Sequence, residues 1–228
     1  MTELWQGLIK AIELIVSLDP EIMEVAGRSL GISVTSTALA SLLCLPLGGL
    51  IHFSSFPGKR SLLNLIQTFY SVPTVAIGLF VLVLFSRAGP LGGFGLLFTP
   101  AVIILGQIIL IIPIMLGMTI SALNGVDRAI LDTTRSLGAS GPQMALATLR
   151  EARFAVIAAV SMGFGRTISE VGIAIMVGGN IRGFTRVITT AIALESAKGD
   201  IELSLALGII LLALALSVNI ILNRLQQR

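Results

Sequence analysis

Arg166 and Glu170 stand four residues apart in the stretch GFGRTISEVG, a spacing that on a helix sets a guanidinium and a carboxylate on one face. Long apolar runs surround them, and a charge near the middle of a hydrocarbon-spanning helix costs about 2.5 to 3.5 kcal/mol. Both groups must then face protein or a water-filled path, paired with each other or with groups on a neighbouring helix. Ser169 adds a hydroxyl beside Glu170, and Gly163, Gly165 and Gly172 permit close backbone approach or a bend. Such a set can act as a neutralised pair that fixes packing, as an ion relay, or as a weak contact for an anion.

Covalent and metal chemistry have less to work with. His52 is the one histidine and stands at the end of an apolar run, without the Cys or carboxylate cluster a metal site needs. A nucleophilic triad lacks a buried histidine base, and no GxxxxGK[ST] phosphate loop occurs. No catalytic residue, bound cofactor or nucleic-acid partner is expected. Cys44 lies inside an apolar run, where it serves as a small buried hydrophobe.

The elements that must hold Arg166 and Glu170 are membrane helices. Of 228 residues, 55% are hydrophobic and 12% charged, with a mean hydropathy of +0.99, too apolar for a soluble domain. Crossing a hydrocarbon core takes about 20 mostly apolar residues. Stretches of that kind fall at 30–51, 62–85, 98–122, 154–177 and 203–222, which predicts an all-α polytopic protein of five spans surrounded by membrane lipid. The third span carries Pro100, Gly106, Pro113 and Gly117, a pattern of kinks in a protein-facing helix.

Ahead of the spans, Gln6, Lys10, Glu13 and Ser17 form one polar stripe on a helix. A helix of 15 residues rises only about 22 Å, so an interfacial helix is expected before Asp19 and Pro20 break it. Residues 1–27 therefore read as an N-terminal amphipathic segment, and 28–228 as the membrane domain. The opening residues lack a basic start and a cleavage site, so no removable signal peptide is expected.

Lys and Arg set the expected orientation. With the N-terminus outside, the inner connections and tail hold Lys59, Arg60, Arg128, Arg135, Arg150, Arg153, Arg224 and Arg228. The outer side holds the smaller set of Lys10, Arg28, Arg87, Arg182, Arg186 and Lys198. Positive charge favours the cytoplasm, hence N-terminus out and C-terminus in. After the fourth span, GGNIRGFTRV has glycines but no long polar run and is expected to re-enter the protein; its Arg182 and Arg186 could guide an anion or meet an acidic partner.

The connection 124–153 is amphipathic, and breaks are expected at Gly138 and at Gly141-Pro142. Its apolar side chains either pack back on the spans or enter another protein's groove. Within it Asp132-Thr133-Thr134 is followed by Arg135-Ser136-Leu137, then Gly138, Ala139 and Ser140. This resembles the EAA loop of ABC importer permeases, an acidic-small-small start, three residues and a glycine. The ending departs, because Thr148-Leu149-Arg150-Glu151 replaces I-x-L-P and lacks the proline.

A second resemblance runs from Gly165 to Asp200. Its elements are Gly165-Arg166, Glu170-x-Gly172, Gly178-Gly179-Asn180-Ile181, Thr189-Thr190-Ala191-Ile192 and Lys198-Gly199-Asp200. In order and spacing these are similar to the molybdate, tungstate and sulfate branch of those permeases, and most similar to tungstate permeases. The resemblance implies the importer permease fold, a homodimer, cytoplasmic ATPase subunits carrying ATP and Mg, and an extracytoplasmic oxyanion-binding protein. It implies that Asp132, Thr133, Thr134, Leu137, Gly138 and Ala139 couple to the ATPase. Arg166, Ser169, Glu170 and Gly172 would lie at the translocation gate, with Asn180, Arg182 and Arg186 on the outer loop. A self-contained secondary transporter or ion-coupled carrier is the alternative, although no repeated half is visible and such a carrier needs no EAA-like loop.

Overall fold

The structure, a computed structural model, describes residues 2–226, with side chains from 4 to 224; Arg228 of the charge count lies outside the described residues. The chain begins with α1 (Thr2–Val16) and turns into α2 (Pro20–Phe53) at a single joint. Leu18 takes a left-handed conformation, φ 50°, and the Asp19 N–H returns to Leu14 O at 3.2 Å. Asp19 then caps α2 by accepting from the Ile22 N–H at 3.0 Å, while Pro20 takes the first turn, where no N–H is needed.

The helix break expected at Asp19 and Pro20 falls there, and α2 runs unbroken from residue 20 through the stretch where the first span was placed. Glu21, Glu24 and Arg28 hid this in the sequence, because they belong to the polar end of a helix about 51 Å long at 1.5 Å per residue. The hydroxyls of Ser29, Ser36 and Thr37 also bond to the carbonyls four residues back, at 2.8, 2.8 and 2.7 Å, so they lie inside α2 without breaking it.

Two of the five expected spans are bent. α3 (Lys59–Thr68) and α4 (Thr74–Phe85) meet at 97° across a short 3₁₀ turn and Pro73. Proline pushes Val72 out of the helical region and lacks a donor of its own, which ends one helix and starts the next. α8 (Arg153–Ile168) and α9 (Gly172–Gly178) meet at 55°. The unbroken spans are α2, α5 (Pro100–Asn124) and α11 (Ile201–Gln226), so the count is three, or five if each bent pair crosses once. Between them lie α6 (Arg128–Ser136), α7 (Gly141–Glu151) and α10 (Ile188–Lys198). No strand occurs among the described residues.

In lipid, helices associate through close packing more than through exclusion of water, and small residues govern the contacts. The α1 face that packs on α11 is made of Gly7, Ala11 and Leu14; a β-carbon on Gly7 would lie 2.6 Å from Leu205 Cβ. α9 is wedged against α4 and α5. Ile173 is fully buried between α4 and α5, where a β-carbon on Gly106 would come within 2.5 Å of Ile173 Cγ2 and one on Gly78 within 3.3 Å of Ile173 Cα. Ile103, Ile111 and Met115 of α5 complete this core.

The two ends of the bundle are distinct. At one, Glu21 of α2 meets Arg182 and Arg186. At the other, His52 Nδ1 lies 2.9 Å from Asn124 Oδ1, and Lys59 donates to the carbonyls of His52 and Ser54 at 2.8 and 2.9 Å. The connection leading to α6 and α7 thus shares a face with the turn at residues 56–60, opposite the loop that carries Arg182 and Arg186.

Candidate functional site

Arg166 and Glu170 do pair, with Arg166 Nη1 donating to Glu170 Oε2 at 3.2 Å. They are not on one continuous helix. α8 ends at Ile168, and Glu170 occupies the break before α9. Its side chain is 2% exposed, whereas that of Arg166 is 37% exposed, so the carboxylate is enclosed and the guanidinium faces outward. The other carboxylate oxygen accepts from the Ile173 N–H at 3.1 Å and so caps α9. The backbone carbonyl of Glu170 accepts from Thr189 Oγ1 of α10 at 2.8 Å.

One charged residue therefore holds three parts of the break, which accounts for a carboxylate at this depth. Gly172 is tight, since a β-carbon there would sit 3.0 Å from Thr74 Oγ1, whereas Gly165 has open space around it. Ser169 is turned back on its own helix, donating to Gly165 O at 2.8 Å.

A buried polar chain that sequence reasoning missed leads to this break. Gln107 of α5 donates through Nε2 to Thr167 O at 3.1 Å, and its Oε1 lies 2.8 Å from Ser36 Oγ of α2. Thr37 and Thr167 hydroxyls approach to 3.2 Å. The signal was present as one amide within the long apolar run of α5, but its partners lie on α2 and α8, remote in sequence.

On the face with Glu21, the loop after α9 is a pinned turn. Gly179 and Asn180 take left-handed conformations, φ 71° and 50°, and Asn180 Oδ1 accepts from Thr190 Oγ1 at 2.8 Å. Thr185 is fully buried, donating to Gly178 O and accepting from the Ile181 N–H, while Ile181 and Phe184 stay exposed. Only part of the segment turns inward, against the expectation of a re-entrant one. Glu21 takes both arginines, but Arg186 is mostly enclosed and Arg182 exposed. A small cavity of about 220 Å³ lies behind them, between α2, α10 and α11.

On the opposite face α6 stands clear of the core. Asp127 caps it on the Ala129 N–H at 2.9 Å. Gly138, φ 77°, closes it, with its N–H on Arg135 O at 3.0 Å and the Ala139 N–H on Thr134 O at 3.1 Å, the double bond pattern of a Schellman stop. Asp132 is exposed, and the hydroxyls of Thr133 and Thr134 bond back within the helix. Leu137 projects with 81% exposure. A cleft of about 750 Å³ separates α6 and α7 from the end of α2, lined by Leu50, Phe53 and Leu131 with Arg128, Asp132 and Arg135. The site residues of the sequence thus fall in three places: the break, the pinned outer turn and the projecting helix.

Bent spans, a projecting helical loop and this order of elements define an importer-type permease fold. A chain of the MetNI methionine ABC transporter has it, with a TM-score of 0.75 and 17% identity over 92% of this chain and 97% of that one. A bacterial ABC transporter for alginate import matches with a TM-score of 0.74 and 18% identity over 95% of this chain and 83% of that one. The chain belongs to the family of binding-protein-dependent transport system inner membrane components, whose pattern matches residues 23–228. It is a multi-pass membrane protein and a transporter permease. A probable anion ABC transporter permease protein of Haloferax volcanii is 41% identical to it, covering 91% of each chain. The tungstate uptake system permease protein TupB of Peptoclostridium acidaminophilum is 38% identical over 97% of each.

Proposed function

We propose that this chain is the membrane-spanning permease subunit of an ATP-driven importer for a tetrahedral oxyanion, tungstate first and molybdate or sulfate next. The observation that carries the substrate class is its 38% identity, along 97% of both chains, to a tungstate uptake permease. The working assembly is two copies of this chain, two ATPase subunits with ATP and Mg on the cytoplasmic side, and one extracytoplasmic oxyanion-binding protein. The N-terminus lies outside and the C-terminus in the cytoplasm of the cell's inner membrane.

The projecting α6 is the docking element for the ATPase. Leu137 enters its groove, Asp132, Thr133 and Thr134 form the helix surface beside it, and Gly138 with Ala139 fixes the angle at which the helix ends. On the opposite face Arg182 meets the binding protein, Arg186 is held back by Glu21, and Asn180 fixes the turn that carries both.

Closure of the ATPases moves the loop 124–153, the spans rotate, and the break with Arg166, Ser169, Glu170 and Gly172 opens outward as the gate. Arg166 is the gate's accessible positive charge. Because Glu170 neutralises it in part, its hold on a passing dianion is weak, and weak contact is what transit requires, since a tight site would slow release.

The test is uptake into vesicles holding the permease with its ATPase. Tungstate accumulation that needs both ATP and the binding protein is expected, with molybdate and sulfate following. Accumulation by this chain alone, driven by an ion gradient, would replace the importer with a secondary transporter.

A further inference from the structure

We infer that Gln107 is the positioning residue that carries movement of the loop 124–153 to the Arg166–Glu170 break; the inference rests on the import function proposed above. Gln107 is 3% exposed. Its value lies in what it joins. The loop is continuous at one end with α5 and at the other with α8. Gln107 lies roughly 25 Å along α5 from the loop, and Thr167 roughly 20 Å along α8, at 1.5 Å rise per residue. The Gln107–Thr167 bond of 3.1 Å therefore ties the two helices again at their far ends. Loop, α5, bond and α8 make a closed frame, and a push on the loop moves the frame as a unit. Closer to the loop, Gly163 of α8 packs against Met115 of α5; what the far tie adds is a directional bond beside the break.

The orientation of the amide follows from its partners. The Thr167 carbonyl can only accept, so the NH₂ group must face it and Oε1 must face Ser36. Ser36 Oγ lies 2.8 Å both from Oε1 and from Ile32 O, so its single proton is shared between them. The Thr167 carbonyl also accepts from the Glu170 N–H at 3.2 Å, the bond that shapes the break. Gln107 is thus one hydrogen-bonded group away from Glu170, whose side chain caps α9. Next to it, Gly106 admits Ile173 of α9. Neighbouring residues of α5 therefore hold the two sides of the break, one by an amide and one by the absence of a side chain.

Interhelical hydrogen bonds in membranes contribute little net stability, and an apolar residue of this size would fill the space equally well. What the amide adds is register, because both of its ends must find their partners at once.

The experiment measures anion moved per ATP hydrolysed in vesicles containing the full complex and binding protein. Gln107→Leu is expected to assemble and hydrolyse ATP, with the ratio falling about tenfold, the scale of one or two lost buried hydrogen bonds. Ser36→Ala keeps the bond to Thr167 and is expected to lose less than about threefold. If Gln107→Leu fails to assemble, Gln107→Asn, one methylene short, is expected to assemble and show the same fall. A wild-type ratio in whichever of these assembles overturns the inference while leaving the import function standing. Absence of binding-protein-dependent uptake in the wild type overturns both.

Discussion

Glu170 does two separable things, and two substitutions distinguish them. Glutamine retains an oxygen for the Ile173 N–H but loses the charge facing Arg166, whereas alanine loses both. Glu170→Gln is expected to keep thermal stability within about 1 kcal/mol and to reduce uptake. Glu170→Ala, which leaves a buried N–H unsatisfied, is expected to destabilise by about 1 to 3 kcal/mol. Melting of the purified complex beside uptake checks this; equal stability of the two variants would remove the capping role. The pair itself was legible from its spacing. A bend was foreseen from Gly163, Gly165 and Gly172, but its position was not, because residues four apart approach each other on a continuous helix and across this bend alike. Thr189, which secures the Glu170 carbonyl, comes from α10, 19 residues further on.

Among the elements, the helix ends are set by a few backbone positions. Gly138 supplies the left-handed residue that stops α6, and a side chain there costs about 1 to 2 kcal/mol. Gly138→Ala is expected to redirect Leu137 and to reduce copurification of the ATPase, while Gly138→Asn, tolerant of that conformation, is expected to retain more of it. Equal recovery of ATPase with all three residues would separate the α6 stop from docking.

The α3–α4 elbow depends on a different glycine. A β-carbon on Gly117 would fall 1.5 Å from the Tyr70 hydroxyl, so Gly117→Ala is expected to cost about 1 to 3 kcal/mol of stability as overpacking. Tyr70→Ala in the same chain should restore most of it, and Gly165→Ala, with open space, should leave melting unchanged or slightly raised. The existence of α1, α5, α6 and α11 was readable from a polar stripe, from the length of two apolar runs and from an amphipathic connection that breaks at Gly138. The 97° elbow was not, because Pro73 signals a stop without fixing the angle at which the next helix leaves.

Over the whole molecule, the arrangement is a bundle whose two ends are built from different groups. Charge counts in the connections gave only a small excess on one side, yet contacts separate the ends cleanly: Glu21 with Arg182 and Arg186 at one, His52 with Asn124 and the α6–α7 loop at the other. That separation depends on α2 running end to end, which its early acidic residues concealed. The proposed function assigns cargo to one of these faces and force to the other, and that is its central claim. The most direct test is ATPase activity of the reconstituted complex of permease, ATPase and binding protein, compared with tungstate, molybdate and sulfate in one assay. Stimulation that requires the binding protein and is greatest with tungstate is the predicted result. Failure of any ATPase to associate, or hydrolysis indifferent to binding protein and anion alike, would contradict it.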